Sequence, residues 1–301
     1  MYSDAASSTA EILSPPPGLF TISQKEFAAF RELIFKEAGI SLSDAKRALV
    51  CSRLSRRLRH FGFKSFTQYY NYLMSSDANG EELLQMINCI TTNKTDFFRE
   101  GHHFDYLREF FFPQVRERTL WGYPKKLRIW SAGCSSGEEA YTIGILVREF
   151  FGFLPGWDVK ILASDIDTEM LRIGEQGVYP AERLESVPVE LRKRHFLRGR
   201  REWTGYYRVR DELRELLTFR RINLADDPWP INTRFDVIFC RNVIIYFNRE
   251  TQRKLFERLA KYLHPYGCLM VGHSESLQWL SDLFVPLSGT IYRLKDARRD
   301  R

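Results

Sequence analysis

Apolar residues recur at helical spacing through the first third of the chain, as in Phe27, Phe30 and Ile34. Helix start and stop signals divide this region; they are Ser23 with Glu26, Gly39, Ser43, and Ser65 with Gln68. The pattern predicts four helices between residues 20 and 90, the second from Ser43 to about His60 and the fourth over 81–90. We therefore expect an all-α N-terminal domain.

Residues 127–295 show a different pattern, in which short apolar runs alternate with helical ones. Leu127, Ile129 and Trp130 predict a strand, and a helix is expected from Glu138 onward. Later strands are predicted within 159–165, 235–240, 268–272 and 290–294, with helices over 170–177 and 250–263. This alternation predicts an α/β fold with a parallel sheet, of the Rossmann-like type.

The strand, glycine turn and helix around Gly133 resemble the first unit of a nucleotide-type binding site. Gly133 permits close approach of the backbone to a ligand. Asp165 ends the second strand, where a carboxylate accepts hydrogen bonds from ribose hydroxyls. Arg241 and Asn242 follow the strand that ends at Cys240. Ligands bind beyond the carboxyl ends of such strands, so these residues are expected to line one crevice.

An inserted segment, 191–219, contains three short strand-like runs, FLRG, YYRVR and LLTF, with a turn at Thr204–Gly205. It predicts a small antiparallel β-subdomain that packs on the main domain and leaves an exposed edge.

Residues 91–126 connect the two regions and begin with a polar stretch. An amphipathic helix follows, for which Thr95 or Asp96 is the expected cap. Arg99 lies beside two phenylalanines in a segment expected to be buried. The pair His102–His103 has no second ligand cluster nearby, so we expect it on a helix surface and predict no metal site.

Length, cysteine content and net charge limit the classes of protein to which this chain can belong. A chain of 301 residues favours two domains, and five widely spaced cysteines fit reduced thiols in the cytoplasm. No apolar run is long enough to span a membrane, and no secretory signal is recognisable at the start, so no membrane insertion is expected. Residues 1–19 and 296–301 are predicted to be tails. The net charge of +7 indicates an acidic partner.

The second predicted helix concentrates that charge; its cations are Lys46, Arg47, Arg53, Arg56, Arg57 and Arg59. By helical spacing, Arg53, Arg56 and Arg57 share one face. A solvated basic face is the ordinary interpretation, but this density favours a binding surface for an acidic partner. No aromatic residue interleaves the face, which disfavours nucleic acid.

Six motifs together resemble those of the CheR family of chemotaxis-receptor glutamate methyltransferases, in the family's order, from about Phe20 to Leu294. They are TTNKTDFFRE, WSAGCSSGEEAY, ASDID, Asn223–Leu224, FCRNVIIYF and GHSESL. The chain departs at Ala140, where relatives often have proline, and in the charged turn RREWTG of the inserted segment. The resemblance implies an N-terminal helical domain over 20–90, a connecting segment over 91–126, and a methyltransferase domain over 127–295 that carries the β-subdomain.

The resemblance also implies S-adenosyl-L-methionine as cofactor, with S-adenosyl-L-homocysteine as product. The implied cofactor residues are Asn93, Thr95, Arg99, Ala132, Gly133, Glu138, Asp165, Asn223, Leu224, Arg241 and Asn242. Arg99 and Tyr246 would lie nearest the transferred methyl group and act in catalysis. Arg53, Arg56 and Arg57 would bind the helices of a receptor's cytoplasmic part. A receptor's C-terminal peptide could pair with the β-subdomain edge, and a monomer is expected.

Two alternatives remain at this stage. A nucleic-acid methyltransferase fits the basic charge, but Cys240-Arg241-Asn242-Val243 stands where an amino-directed enzyme has an Asn-Pro-Pro-Tyr-like turn. Cys240 follows Phe239 rather than the proline that usually precedes a cytosine-C5 nucleophile. A non-catalytic, cofactor-binding signalling adaptor is the second alternative, and the presence of Arg99 and Tyr246 disfavours it.

Overall fold

The computed structural model describes residues 20–152 and 156–295. They divide into two compact units, a helical one formed by residues before Ile34 with 42–90, and an α/β one formed by 34–41 with the chain from Thr91. The tails predicted at 1–19 and 296–301 lie outside the described residues. Within the described part, we find no helix with both the length and the apolarity needed to cross a bilayer.

The four helices predicted before residue 91 are confirmed. They are α1 Gln24–Ala38, α2 Arg47–Phe61, α3 Phe66–Ser75 and α4 Glu81–Ile90. Ser23 and Glu26 form the expected capping box, since each backbone N–H donates to the other's side chain. Ser65 Oγ likewise accepts the Gln68 N–H. Ser43 instead precedes a single 3₁₀ turn and makes no side-chain cap bond.

The strands of the described α/β unit are β1 Lys126–Ala132, β2 Asp158–Asp165, β3 Val178–Pro180, β4 Phe196–Arg198, β5 Tyr206–Val209, β6 Leu217–Arg221, β7 Phe235–Cys240, β8 Leu263–Val271, β9 Phe284–Ser288 and β10 Ile291–Leu294. Its helices are α5 His102–Tyr106, α6 Phe112–Arg118, α7 Glu138–Phe151, α8 Thr168–Gln176, α9 Val189–His195, α10 Asp211–Arg214 and α11 Arg249–Tyr262.

Seven of these strands form one sheet in the order β6-β2-β1-β7-β8-β10-β9. β1 pairs in parallel with both β2 and β7, while β10 runs antiparallel to β8 and β9. Every residue of β7 is buried, and all of them except Asp236 are apolar, as expected for a strand covered on both faces. β2 and β6 lie on one side of β1, and β7 and β8 lie on its other side. The strand order therefore reverses between β1 and β7, which is the topological switch point of the sheet.

The small antiparallel sheet has the order β3-β5-β4 and differs in extent from the predicted subdomain, 191–219. It begins at Val178, before the predicted boundary. The run LLTF belongs instead, from Leu217 onward, to β6, which pairs in parallel with β2 at the edge of the main sheet. Strand spacing in the sequence could not distinguish these two sheets, because a short strand does not specify its partner.

The connecting segment also differs from its prediction. The helix begins at His102, after Gly101, so neither Thr95 nor Asp96 caps it. It continues through a wide π-helical turn over Leu107–Phe111 into α6. His103 is buried rather than on the surface, and its Nε2 lies 2.9 Å from Thr290 Oγ1. Tertiary packing therefore covers a residue whose polarity suggested exposure.

Candidate active site

The predicted glycine turn joins β1 to α7 at the switch point of the sheet. Ala132 ends β1 and is buried, and Gly133 adopts a left-handed φ of +85°. Its N–H donates to the Ser164 carbonyl at 2.8 Å. A Cβ at Gly133 would overlap the Val243 side chain, which lies just past β7. The turn and the loop after β7 are therefore in direct contact, as predicted.

We expect Gly133→Ala to destabilise the protein more than Gly122→Ala. Both glycines have nearly the same φ, +85° and +84°, but a Cβ at Gly122 meets nothing within 4 Å. Left-handed strain, about 1–2 kcal/mol, is common to both variants. Overpacking against Val243 adds about 1–3 kcal/mol to Gly133→Ala alone. Denaturant unfolding of both variants measures the difference, and equal losses would mean that Val243 yields without cost.

Asp165 ends β2 beside this turn and is largely buried. Its Oδ2 accepts the Ser135 N–H at 2.8 Å, and its Oδ1 accepts the Asp167 N–H at 3.0 Å. Burial raises the pKa of this carboxyl, and the two backbone N–H groups act in the opposite direction. Each carboxylate oxygen retains capacity for a second donor. The residue both stabilises the turn and can accept hydrogen bonds from a ligand.

The predicted segment around Asn93 is hydrogen-bonded to the same edge of the sheet. Asn93 Nδ2 donates to Asp167 Oδ2 at 2.7 Å, and its carbonyl accepts the Ser135 hydroxyl at 3.0 Å. The carbonyl of Thr95, a buried residue, accepts Arg183 Nη2 at 2.8 Å. The polar motif before α5 therefore contacts the glycine turn, although about 40 residues separate them in the chain.

Glu138 begins α7 and is completely buried. Ser136 Oγ donates to its Oε2 at 2.7 Å, and Arg183 Nε donates to its Oε1 at 3.0 Å. Arg183 follows β3 of the small sheet, so this sheet contributes a charge to the site. The ion pair compensates a carboxylate that would otherwise be costly to bury.

Arg241, just after β7, is the central cation of the site, with 2% of its side chain exposed. Its Nη2 donates to the Arg99 carbonyl at 2.6 Å, and its Nε lies 3.4 Å from Glu139 Oε2. Burial raises the pKa of Glu139, and the nearby Arg241 charge acts against that rise. Arg241 Nη1 is buried and has no hydrogen-bond partner among the described residues. This donor is therefore left unsatisfied by the described residues.

Asn242 adopts a left-handed φ of +59° at the same strand end. Its N–H donates to Glu275 Oε2 at 2.9 Å, and the same oxygen accepts the Gly272 N–H at 2.6 Å. A Cβ at Gly272 would collide with the Asn242 amide, so glycine is required at this position. The ends of β7 and β8 are thus joined through Glu275.

Asn223 and Leu224 lie just past β6, on the same edge of the sheet as Asp165. The Ile222 N–H donates to the Asp165 carbonyl at 3.0 Å. The Asn223 amide is already used locally, because its Nδ2 donates to Glu37 O and to Asp226 Oδ1. A ligand contact at Asn223 would therefore come from its backbone or from the remaining lone pair of Oδ1.

Arg99 and Tyr246, the predicted catalytic residues, belong to the two segments that meet at Arg241. Arg99 Nη1 donates to the Lys94 carbonyl at 2.9 Å, and a third of its side chain is exposed. Tyr246 is half-buried at the end of the turn that follows Val243. Both side chains retain polar groups for a reactant.

Sequence reasoning missed three carboxylates of this site, Glu100, Glu139 and Glu275. Each lies inside a quoted motif, which was the available signal, but none was assigned a role. Glu100 has 13% of its side chain exposed and contacts Arg241, Asn242 and the His273 backbone. Their importance depends on long-range contacts, which no local pattern reveals.

His103 should make stability depend on pH. Burial, more than the neighbouring Arg241 charge, lowers its pKa to about 2, from 6.5. Below pH 6.5 the unfolded chain takes up a proton that the folded chain does not, so stability falls as the pH decreases from 6.5 toward 2. Between pH 7 and pH 5 this should cost about 2 kcal/mol. Denaturant unfolding at both pH values should show this loss in wild type and in the exposed-neighbour control His102→Gln, but not in His103→Gln.

The basic surface predicted on α2 is only partly free. Arg57 Nε donates to Glu82 Oε1 at 2.8 Å, and Glu82, on α4, also accepts the Tyr69 hydroxyl at 2.6 Å. Arg53 donates to the Ile90 carbonyl. Arg56 and Arg59, in contrast, are exposed. Part of the basic cluster is thus neutralised within the protein by Glu82. Arg57 therefore has a structural role that the sequence did not indicate.

The α/β unit has the sheet order and strand-end site of a nucleotide-type ligand-binding fold. Residues 93–293 match the family model described as "CheR methyltransferase, SAM binding domain", and residues 25–91 match "CheR methyltransferase, all-alpha domain". The fold and site therefore define a methyltransferase that uses S-adenosylmethionine.

Known relatives match this chain over nearly their whole length. Chemotaxis protein methyltransferase 2 of Pseudomonas aeruginosa is 45% identical over 91% of this chain and 94% of its own. The chemotaxis protein methyltransferase of Escherichia coli is 40% identical over 91% and 92%. That of Salmonella typhimurium is 38% identical over 98% of each chain. The chain belongs to the CheR methyltransferase family.

Proposed function

We propose that this protein transfers the methyl group of S-adenosylmethionine to glutamate side chains of chemotaxis receptors, forming methyl esters. One observation carries the proposal: the segment 93–100, the glycine turn and Arg241–Asn242 form one hydrogen-bonded site at the switch point of the sheet. The names of the relatives support chemotaxis receptors as the class of acceptor.

The residues present fit the cofactor. Gly133 lets the glycine turn pack directly against Val243 in the loop after β7, Asp165 has acceptor capacity for ribose hydroxyls, and Arg241 Nη1 is a buried donor without a partner among the described residues. Asn93, Thr95, Glu138, Asn223 and Leu224 would complete its surroundings. The cofactor supplies an electrophilic methyl group on a sulfonium, and this chain's residues supply binding and alignment.

The proposed acceptor needs no general base. A glutamate side chain has a reference pKa near 4.3, so it is already an anion at neutral pH. The site has to align it with the methyl group and exclude water, which contributes about 7–11 kcal/mol in favourable cases. Arg99 and Tyr246 would orient the carboxylate by hydrogen bonds. We expect Tyr246→Phe and Arg99→Ala to lower methyl transfer more than cofactor affinity.

The direct test combines binding with product chemistry. Calorimetry with S-adenosylmethionine should show one site per chain, and label from a radioactive methyl group should enter a receptor cytoplasmic fragment. Mild alkali should then release the label as methanol, because an ester hydrolyses and an N-methyl group does not. Label that stays on the protein, or that enters nucleic acid instead, would contradict the proposal.

We further propose that the basic face of α2, with Arg53, Arg56 and Arg57, docks on an acidic receptor helix in the cytoplasm. Because Arg57 is paired internally, the informative variant is Arg56→Glu with Arg59→Glu. It should reduce receptor methylation, increasingly so at low salt, and leave cofactor affinity unchanged. Lys193→Glu with Lys254→Glu makes the same change in charge on other helices and is the control. Equal methylation by both double variants would exclude docking through α2.

The β-subdomain is proposed to bind a receptor's C-terminal peptide as an added strand. In the small sheet, β3 and β4 each pair only with β5 among the described residues, so each presents an edge. Trp203 and Tyr206 are exposed near this sheet, with ring centroids 6.1 Å apart. Titration of the whole protein with receptor C-terminal peptides, with shuffled peptides as the control, tests this function. The protein is expected to bind the peptide as a monomer.

A further inference from the structure

Glu100 occupies an unusual backbone position in the segment before α5. Its φ is +59°, and that of Phe98 is +57°, so two residues with large side chains adopt the left-handed conformation on either side of Arg99. Such conformations cost about 1–3 kcal/mol each and persist where the surroundings enforce them. The backbone turns here so that the Glu100 side chain points into the site instead of toward solvent, as its 13% exposure shows.

The carboxylate of Glu100 joins three separate segments. Its Oε2 accepts the His273 N–H at 3.0 Å and lies 3.6 Å from Arg241 Nη2. Its Oε1 lies 3.4 Å from Asn242 Nδ2. These partners follow β7 and β8, 142 and 173 residues away in the chain. The preceding Arg99 carbonyl also accepts Arg241 Nη2 at 2.6 Å, so backbone and side chain hold the same guanidinium.

We propose that Glu100 is a positioning residue that fixes Arg241 and Asn242 in the orientation needed to bind S-adenosylmethionine. It acts through these two residues rather than by touching the cofactor. The inference rests on the proposed function, in which Arg241 and Asn242 belong to the cofactor site. Glu275 holds the Asn242 backbone from the other side, and Glu100 Oε1 accepts from the Asn242 side chain.

Only a carboxylate satisfies all of these partners. Each partner of the Glu100 oxygens is a donor or a cation, and a carboxylate presents acceptors at both oxygens. Glutamine has one acceptor and one NH₂ group, so its NH₂ would face either the His273 N–H or the Asn242 Nδ2. Glu100→Gln therefore preserves side-chain size but leaves one contact repulsive and the Arg241 charge less compensated.

The experiment measures the cofactor dissociation constant by calorimetry and the KM for S-adenosylmethionine in receptor methylation, for wild type, Glu100→Gln, Asn242→Ala and the double variant. Asp105→Asn, an exposed change of equal charge on α5, is the control. Thermal unfolding without ligand confirms that each variant is folded. If Glu100→Gln does not fold, Glu100→Asp replaces it, since aspartate tolerates the left-handed conformation and keeps the charge.

We expect Glu100→Gln to raise the dissociation constant and the KM about tenfold, with Asp105→Asn unchanged. The double variant should lose less affinity than the sum of the single losses, because Glu100 acts through Asn242. A purely structural role would lower the amount of active protein and leave KM unchanged. A rise below threefold, or full additivity with Asn242→Ala, overturns the proposal. Wild type that binds cofactor but does not esterify receptors would refute the proposed reaction and leave the binding comparison valid.

Discussion

Replacing Arg241 with methionine should abolish measurable cofactor binding and lower the free energy of unfolding by about 3–5 kcal/mol. The physical reason is the burial of charge around Arg241, whose partners Glu100 and Glu139 are themselves largely buried. Removing one member of such a cluster leaves uncompensated carboxylates, which costs far more than the net value of the intact pair. Calorimetry and denaturant unfolding measure both effects.

Arg241→Lys is the matched control, because it retains the charge but not the guanidinium geometry. We expect it to recover most of the stability and little of the cofactor affinity, since the unpaired Nη1 donor would be lost. Arg241→Met with stability within 1 kcal/mol of wild type would show that the carboxylates around it are protonated or hydrated in the folded protein.

Replacing Glu82 with alanine should destabilise the helical unit by a similar amount, about 3–5 kcal/mol. Glu82 has 5% of its side chain exposed, and it accepts both the Arg57 guanidinium and the Tyr69 hydroxyl. Burial and the hydrogen bond to Glu82 raise the pKa of Tyr69 above its usual range. The variant would leave the partly buried guanidinium of Arg57 and the buried hydroxyl of Tyr69 without their acceptor.

The neighbouring Glu81→Ala is the control for this change. Glu81 is exposed in the same first turn of α4, so both variants lose the same interaction with the helix dipole. We expect a loss below about 1 kcal/mol for Glu81→Ala. Arg57→Met with Glu82→Met should recover only part of the stability, because it removes the uncompensated charge but leaves the buried Tyr69 hydroxyl without its acceptor. Circular dichroism during urea unfolding measures the free energy of unfolding of each variant. Equal losses of stability in Glu81→Ala and Glu82→Ala would contradict a stabilising role for the Arg57–Glu82 ion pair.

The helices and central strands were predictable because their determinants are local. Ser23 and Ser65 cap helices through partners three residues away, and apolar periodicity defines α1, α3 and α4. β7 was predictable because a strand buried on both faces is mostly apolar, and Asp236 is its one polar residue. The helix start at Glu138 followed from the small-residue turn before it.

Predictions were wrong where contacts with distant segments determine which sheet a strand joins or where a helix begins. β6 has the same short apolar pattern as the strands of the small sheet, and only its pairing with β2 assigns it to the main sheet. The helix was expected to start at Thr95 or Asp96 but starts at His102, because the left-handed backbone at Phe98 and Glu100 interrupts helical geometry before that point.

The helical and α/β regions, the glycine turn and the motifs that indicate the CheR family could all be recognised from the amino-acid sequence. These depend on hydrogen bonds and apolar spacing within a few residues. Which charged side chains are free to bind a partner depends on long-range contacts, since Arg57 is paired 25 residues away and Glu100 contacts segments 142 and 173 residues distant. Ion pairs between distant segments depend on how the chain folds back on itself, and no local pattern encodes that distance.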